Sequence, residues 1–215
     1  MITALLASIM HINTIIPSLM AAHGVLVYVA LFMIIFIETG LVVMPFLPGD
    51  SILFLVGSLA AGAAGAMNPW LMIVILTIAA ILGDLANFEI GKRFGRWAMH
   101  SKRMQRWIKP KYLKRSQTFF ERHGNVAIFL GRFIPIIRTL IPFTAGMGKM
   151  HYPTFAKYNI IGGATWVTIA IGAGYFFGNI PVVKANFELI MLAIVLISLI
   201  PVLYTTLRSR MNKEV

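Results

Sequence analysis

Six stretches of this chain are long, apolar and nearly free of charge: residues 25–44, 51–67, 70–91, 125–146, 154–178 and 186–207. Crossing a bilayer takes about 20 predominantly apolar residues in a helix, and backbone in lipid must satisfy its own polar groups. Helices are therefore what such stretches can form. The composition agrees, since 59% of the 215 residues are hydrophobic and 12% charged, about half the charged share of a soluble domain. The sequence reads as an all-α integral membrane protein with no room for a separate catalytic, nucleotide-binding or receptor module. With no cysteine in the chain, disulfides, iron–sulfur clusters and thiol nucleophiles are excluded. Any metal would need His or carboxylates, and neither a metal nor a cofactor is expected.

The 19 Lys and Arg outnumber the 7 Asp and Glu, a net charge of +12. Eleven of those bases lie between Lys92 and Arg122, with Glu121 the one acid among them. Cytoplasmic loops collect Lys and Arg, so this link should be inside. The C-terminus, with Arg208, Arg210 and Lys213 against Glu214, reads the same way. A basic stretch carrying Trp97, Trp107, Tyr112, Phe119 and Phe120 can in principle grip RNA. An amphipathic helix on anionic lipid accounts for it better, and no nucleic-acid partner is expected. The first 20 residues contain no Lys or Arg to begin a signal peptide, so a cleaved leader is not expected.

Counting spans back from an inside C-terminus leaves both residues 149–157 and the link at 92–124 on the inside. The stretch between them must then enter and return on one side. Its own residues agree, because Arg132, Arg138, Pro135 and Pro142 make a poor lipid-facing span. The first two stretches are separated by Pro45, Pro48, Gly49 and Asp50, a break that reads as a second hairpin entering from the other face. Full spans kinked at proline are the alternative for each. Two opposed hairpins give the outline of an inverted-repeat transporter core, in which broken helices build a site near the midplane. The expected organisation is an N-terminal interfacial or spanning helix at 1–24, a first hairpin plus transmembrane helix at 25–91 and a basic cytoplasmic amphipathic link at 92–124. A second hairpin plus two transmembrane helices follow at 125–207, then a cytoplasmic tail at 208–215.

Charged residues inside a membrane are costly and mark functional sites by default. Residues 25–91 and 125–146 hold Glu38, Asp50, Asp84, Glu89, Arg132 and Arg138. Glu38 follows thirteen uncharged, mostly apolar residues and should be deep. Proline removes the donor for the carbonyl four residues earlier, so Pro135 and Pro142 should strand the carbonyls of Gly131 and Arg138, and Pro45 and Pro48 those of Leu41 and Met44. Such backbone belongs beside a polar cavity, most economically one shared by both breaks. With a break at Pro135, Arg132 and Arg138 can converge, and two guanidiniums suit a phosphate. A deep carboxylate is costly to keep charged, which suits residues that take up and return protons. Purely structural ion pairing between the hairpins is the alternative, compatible with a ligand that exchanges with the pairs. Asp84 and Asn87, three apart on one helix face, are secondary candidates, read first as polar glue. Glu89 reads as an interfacial partner of Lys92 and Arg93, and the histidines as incidental.

The runs Glu38-Thr-Gly40, Pro45-Phe-Leu-Pro48-Gly49-Asp50-Ser51, Gly83-Asp84 and Gly131-Arg132-Phe-Ile-Pro135-Ile-Ile-Arg138-Thr-Leu-Ile-Pro142-Phe-Thr-Ala-Gly146 resemble the DedA family of bacterial inner-membrane proteins. The likeness covers roughly residues 25–180, and the last run is very specific. The family is similar to the eukaryotic VTT-domain lipid scramblases. The resemblance implies two facing re-entrant hairpins, and transport of membrane lipid dependent on the proton motive force. Recycling of undecaprenyl phosphate to the cytoplasmic leaflet is the activity it implies first. It also places the family's essential acids on Glu38 and Asp50 and its essential arginines on Arg132 and Arg138. Where the family often has Asn-Tyr after Gly-Asp, this chain has Asn87-Phe88, so no tyrosine hydroxyl is available there.

The leading expectation is a multi-pass carrier in the bacterial inner membrane, C-terminus cytoplasmic, with a polyprenyl phosphate or phospholipid and protons as partners, and a homodimer as an open possibility. Arg132 and Arg138 would bind the phosphate, while Glu38 and Asp50 compete for them and couple protons. The competing reading is a proton-coupled antiporter of small cations or drugs, with the acids binding and the arginines structural. An enzyme, a lipid phosphatase, is not expected, because neither break offers a Cys or His as nucleophile or base.

Overall fold

A computed structural model describes residues 12–41, 49–62, 67–100, 110–178, 180, 181 and 183. Among them every regular element is helical. The elements are α1 (Ile12–Gly40), α2 (Gly49–Gly62), α3 (Pro69–His100) and α4 (Pro110–His123), then a 3₁₀ turn (Gly124–Val126) and α5 (Ala127–Gly131), α6 (Pro135–Arg138), α7 (Ile141–Met147) and α8 (Tyr152–Phe177). Among the described residues, three segments are long and apolar enough to cross a membrane: His23–Gly40, Pro69–Gly95 and Tyr152–Phe177. Pro45 and Pro48, the whole of the expected sixth stretch and the tail lie outside the described residues.

Local chemistry explains most of the helix ends. In α1 the backbone leaves helical geometry at His23 (φ −145°, ψ 49°), so the residues before the first span form a separate helix joined across a kink. Asn68 starts α3, its Oδ1 accepting from the backbone N–H of Trp70 at 3.0 Å and of Leu71 at 3.2 Å, with Pro69 at the first helical position. The helix does not stop at Gly91, where the apolar run ends, but continues to His100. Lys and Arg are good helix formers, so the first bases mark where polarity begins and not where the helix ends. α4 stops at Gly124, whose φ of 57° glycine adopts freely. α7 ends in a Schellman motif: Met150 N–H donates to Ala145 O and Lys149 N–H to Gly146 O, both at 3.0 Å, with Lys149 at φ 52° in the left-handed position.

The described part of the fourth stretch is not one helix. It is divided among α5, α6 and α7, none longer than the 7 residues of α7. These pieces fold back on one another, with Gly131 against Ile141 and with Ala127, Ile128, Ile137, Ile141 and Ala145 in one buried cluster. The Gly131 carbonyl is not stranded as the proline spacing suggests. It accepts the N–H of Ile134 at 3.1 Å, because the chain tightens to an i to i+3 bond at the break.

The chain clusters into two compact units. One comprises Met1–Phe32, Pro48–Ile75 and Thr168–Val215, the other Met33–Leu47 and Leu76–Val167. Within the first, α2 and the end of α8 meet backbone to backbone. A Cβ at Gly57 would collide with the Ile171 carbonyl oxygen, and one at Gly174 with that of Phe54. Within the second, α7 and α3 meet in the same way, Gly91 against the Phe143 carbonyl and Gly146 against that of Phe88. Small residues let membrane helices approach this closely. The basic link contributes α4 to the second unit. Its Leu113 and Ser116 are buried, Phe119 and Phe120 pack on the core cluster, and Lys114, Arg115, Glu121 and Arg122 face outward. Thr144 Oγ1 donates to Leu140 O at 2.8 Å, so Ser116 Oγ is the donor in its 3.0 Å bond to Thr144.

Candidate functional site

The expected site residues other than Asp50 and the first break fall in the second unit. α1 ends with Glu38, Thr39 and Gly40 buried against α3, where a Cβ at Gly83 would strike Thr39 Oγ1. That close crossing brings the acid of α1 and the acid of α3, Asp84, to one level. Arg132 lies in the turn after α5, and Arg138 is the last residue of α6. Pro135 opens α6 after an extended Ile134 (φ −109°, ψ 108°), which redirects the chain between the two arginines. Pro142, buried, sits in the first turn of α7.

Each arginine has its own buried acid. Arg138 Nη2 donates to Glu38 Oε1, whose residue is 1% exposed, and Arg132 Nη2 donates to Asp84 Oδ2. The second pairing gives Asp84, a secondary candidate in the sequence, a direct ionic partner. Asp50 lies in the first turn of α2, half-buried, in the first unit. Gly49 precedes it as the buried first residue of α2. Arg132 Nη2 also donates to Asn159 Oδ1 at 2.7 Å, and Asn159 Nδ2 donates to the Ile81 carbonyl at 3.1 Å, fixing that amide to the helix that carries Asp84. Arg132 Nη1 is buried and has no hydrogen-bond partner among the described residues. Gly162 and Gly163 leave room for this guanidinium, since a Cβ at Gly163 would lie 3.3 Å from Nη1.

Asn87 holds the frame. Its Nδ2 donates to the carbonyls of Thr39 at 3.1 Å and Thr139 at 2.9 Å, the residues directly after Glu38 and Arg138. One amide thus sets the register of both members of that ion pair. Trp166 of α8 supplies a face to both cations, with the guanidinium carbons of Arg132 and Arg138 at 5.7 and 5.1 Å from the ring centroid. Between these groups is a cavity of about 10 Å³ lined by Thr39, Asp84, Arg132, Arg138, Thr139 and Trp166. That is room for about one water molecule.

Sequence reasoning missed Asn159 and Trp166. Both had a signal: an amide well inside an apolar span, and a tryptophan near mid-span, away from the interfacial belts where it is commonest. Replacing Trp166 by leucine is expected to cost about 2 kcal/mol, from lost ring burial and cation–π attraction, and replacement by phenylalanine less than half of that. Unfolding of the purified variants in detergent checks this. An equal loss in both would mean that the face of the ring contributes nothing.

A chain whose described elements are all helical, with spans this apolar and a two-pair ionic cluster among them, is a membrane protein whose polar chemistry lies among its helices. Comparison with known proteins gives the family. The VTT domain model matches residues 47–176, so the chain belongs to the VTT-domain, or DedA, family. It is similar to Protein DedA of Escherichia coli (strain K12), at 45% identity over 94% of this chain and 92% of that one. It is also similar to an uncharacterized membrane protein of Mycobacterium tuberculosis (strain ATCC 25618 / H37Rv), at 41% over 88% and 84%. Inner membrane protein YqjA of E. coli (strain K12) is 39% identical over 73% of this chain and 70% of its own length. No solved structure gives a significant match.

Proposed function

We propose that this protein carries an anionic phosphate lipid, undecaprenyl phosphate or a related phospholipid, across the bacterial inner membrane in dependence on the proton motive force. The observation that carries the reading is the convergence of two guanidiniums, Arg132 buried and Arg138 largely so, on one cavity, each with a buried carboxylate as an ionic partner. Arginine pairs match phosphate geometrically and stay charged. Carboxylates that hold those arginines are natural competitors for the same donors. In this reading Glu38 times release of Arg138 by taking up a proton, and Asp50, in the first turn of α2, is a further proton-coupling acid.

The architecture proposed is an inverted repeat with two opposed re-entrant hairpins, the C-terminus cytoplasmic. Two features support it. The stretch containing Arg132 and Arg138 folds back on itself in short helices. And the two units are built alike at their tightest contacts: the helix after each break packs through one glycine against a long helix that answers with another, Gly57 with Gly174 and Gly146 with Gly91. Transport and not chemistry is proposed because the cavity-lining side chains offer no Cys or His to act as nucleophile or base.

Binding tests the reading through ligand chemistry. Undecaprenyl phosphate should raise the unfolding temperature of the detergent-purified protein, as any ligand of the native state does, and undecaprenol without the phosphate should not. Equal stabilisation by both would remove the phosphate from recognition. Stabilisation by small cations alone would favour antiport.

A further inference from the structure

We propose that Asp84 is a second proton-exchanging carboxylate of this site, so that each phosphate dianion admitted takes up two protons, one on Glu38 and one on Asp84. The inference rests on the phosphate reading above and deepens it. A cavity of about 10 Å³ cannot hold a phosphate while both guanidiniums face their acids. Admitting the anion means turning both carboxylates away from the arginines. Each would then be a buried charge without compensation, the costliest outcome for such a pair. A proton on each removes that cost.

The charge count requires the same number. With both pairs formed, the two cations and the two anions of the pairs sum to zero. With a phosphate dianion bound to two arginines, it is neutral again only if both carboxyls are protonated. Both protons come from solution with the anion and leave with it, so nothing else is consumed. Among the described residues, the charged groups lining the cavity with Asp84 are Arg132, which it binds, and Arg138, which is paired to Glu38.

Neighbouring groups keep the arginines aimed when the acids leave. Arg132 retains the neutral Asn159 oxygen at 2.7 Å, and the Trp166 ring lies beside both guanidiniums. Arg132 Nη1, buried and lacking a hydrogen-bond partner among the described residues, is a donor already in place for an anion oxygen.

The test is the affinity of the detergent-purified full chain for inorganic phosphate, measured against pH where phosphate is a dianion. Rising pH withdraws the protons that binding requires, so affinity should fall. Two linked protons give about a hundredfold loss per pH unit, one about tenfold. The native chain should show the hundredfold dependence, Asp84→Asn and Glu38→Gln about tenfold each, and the double variant almost none. A tenfold native dependence overturns the two-proton count without any variant. A hundredfold dependence retained in folded Asp84→Asn overturns the role of Asp84 alone. If the folded native protein binds no phosphate at any pH, the anion site itself falls, and this inference with it.

Discussion

Replacing Arg132 by alanine is expected to destabilise the protein by about 3–5 kcal/mol, because it leaves the Asp84 carboxylate buried with no cation. Arg132 and Asp84 are each 6% exposed, so bulk solvent has little access to take over from the missing partner. Removing both should cost much less than the sum of the two single changes, since the double variant has no orphaned charge. Arg132→Lys should recover only part of the loss. One ammonium cannot reach both Asp84 and Asn159 in the geometry of the guanidinium, nor lie flat beside Trp166. Unfolding of the four variants in one detergent makes the cycle. Additive losses would mean that the two residues do not act as a pair.

The second large effect concerns a residue with no side chain. Gly146→Leu is expected to cost about 3 kcal/mol or more, since the new Cβ would meet the backbone carbonyl of Phe88, which no rotamer change can move aside. The damage should extend to the site. Asn87, adjacent to Phe88, bonds the carbonyls that follow Glu38 and Arg138, so pushing α7 off α3 disturbs the Glu38–Arg138 register. Gly172→Ala is the matched control, because nothing lies within 4 Å of the added carbon. A helical glycine exchanged for alanine in open space gains up to about 1 kcal/mol from propensity. If Gly146→Leu were as well tolerated as Gly172→Ala, the close crossing of α3 and α7 would not be what holds the second unit together.

These two cases show what could be read from the residues and what could not. The spans were legible because lipid leaves a helix few alternatives: His23–Gly40, Pro69–Gly95 and Tyr152–Phe177 fall on three of the long apolar stretches. The broken character of the Arg132 stretch was legible from charge parity and two prolines. Which acid meets which arginine was not. Spacing along the chain does not show that Asp84 meets Arg132 and Glu38 meets Arg138; the Gly83–Thr39 crossing and the turn at Ile134, both three-dimensional events, bring those groups together. Asp84 reads as helix-packing glue because Asn87 lies one turn on. The structure divides the labour instead, with Asp84 bound to Arg132 and Asn87 bonded to the two carbonyls. Asn159 and Trp166 were hidden inside an otherwise ordinary span. The continuation of α3 beyond Gly91 was illegible because polarity ends a membrane segment without ending a helix.

The central claim, that the paired arginines serve a lipid phosphate, is tested most directly by movement of labelled undecaprenyl phosphate across proteoliposomes with and without an imposed proton gradient. The native chain should move the lipid and respond to the gradient. Arg138→Ala should move none while remaining folded, and Glu38→Gln should lose the gradient response. No movement by folded native protein, or equal movement by Arg138→Ala, would contradict the account.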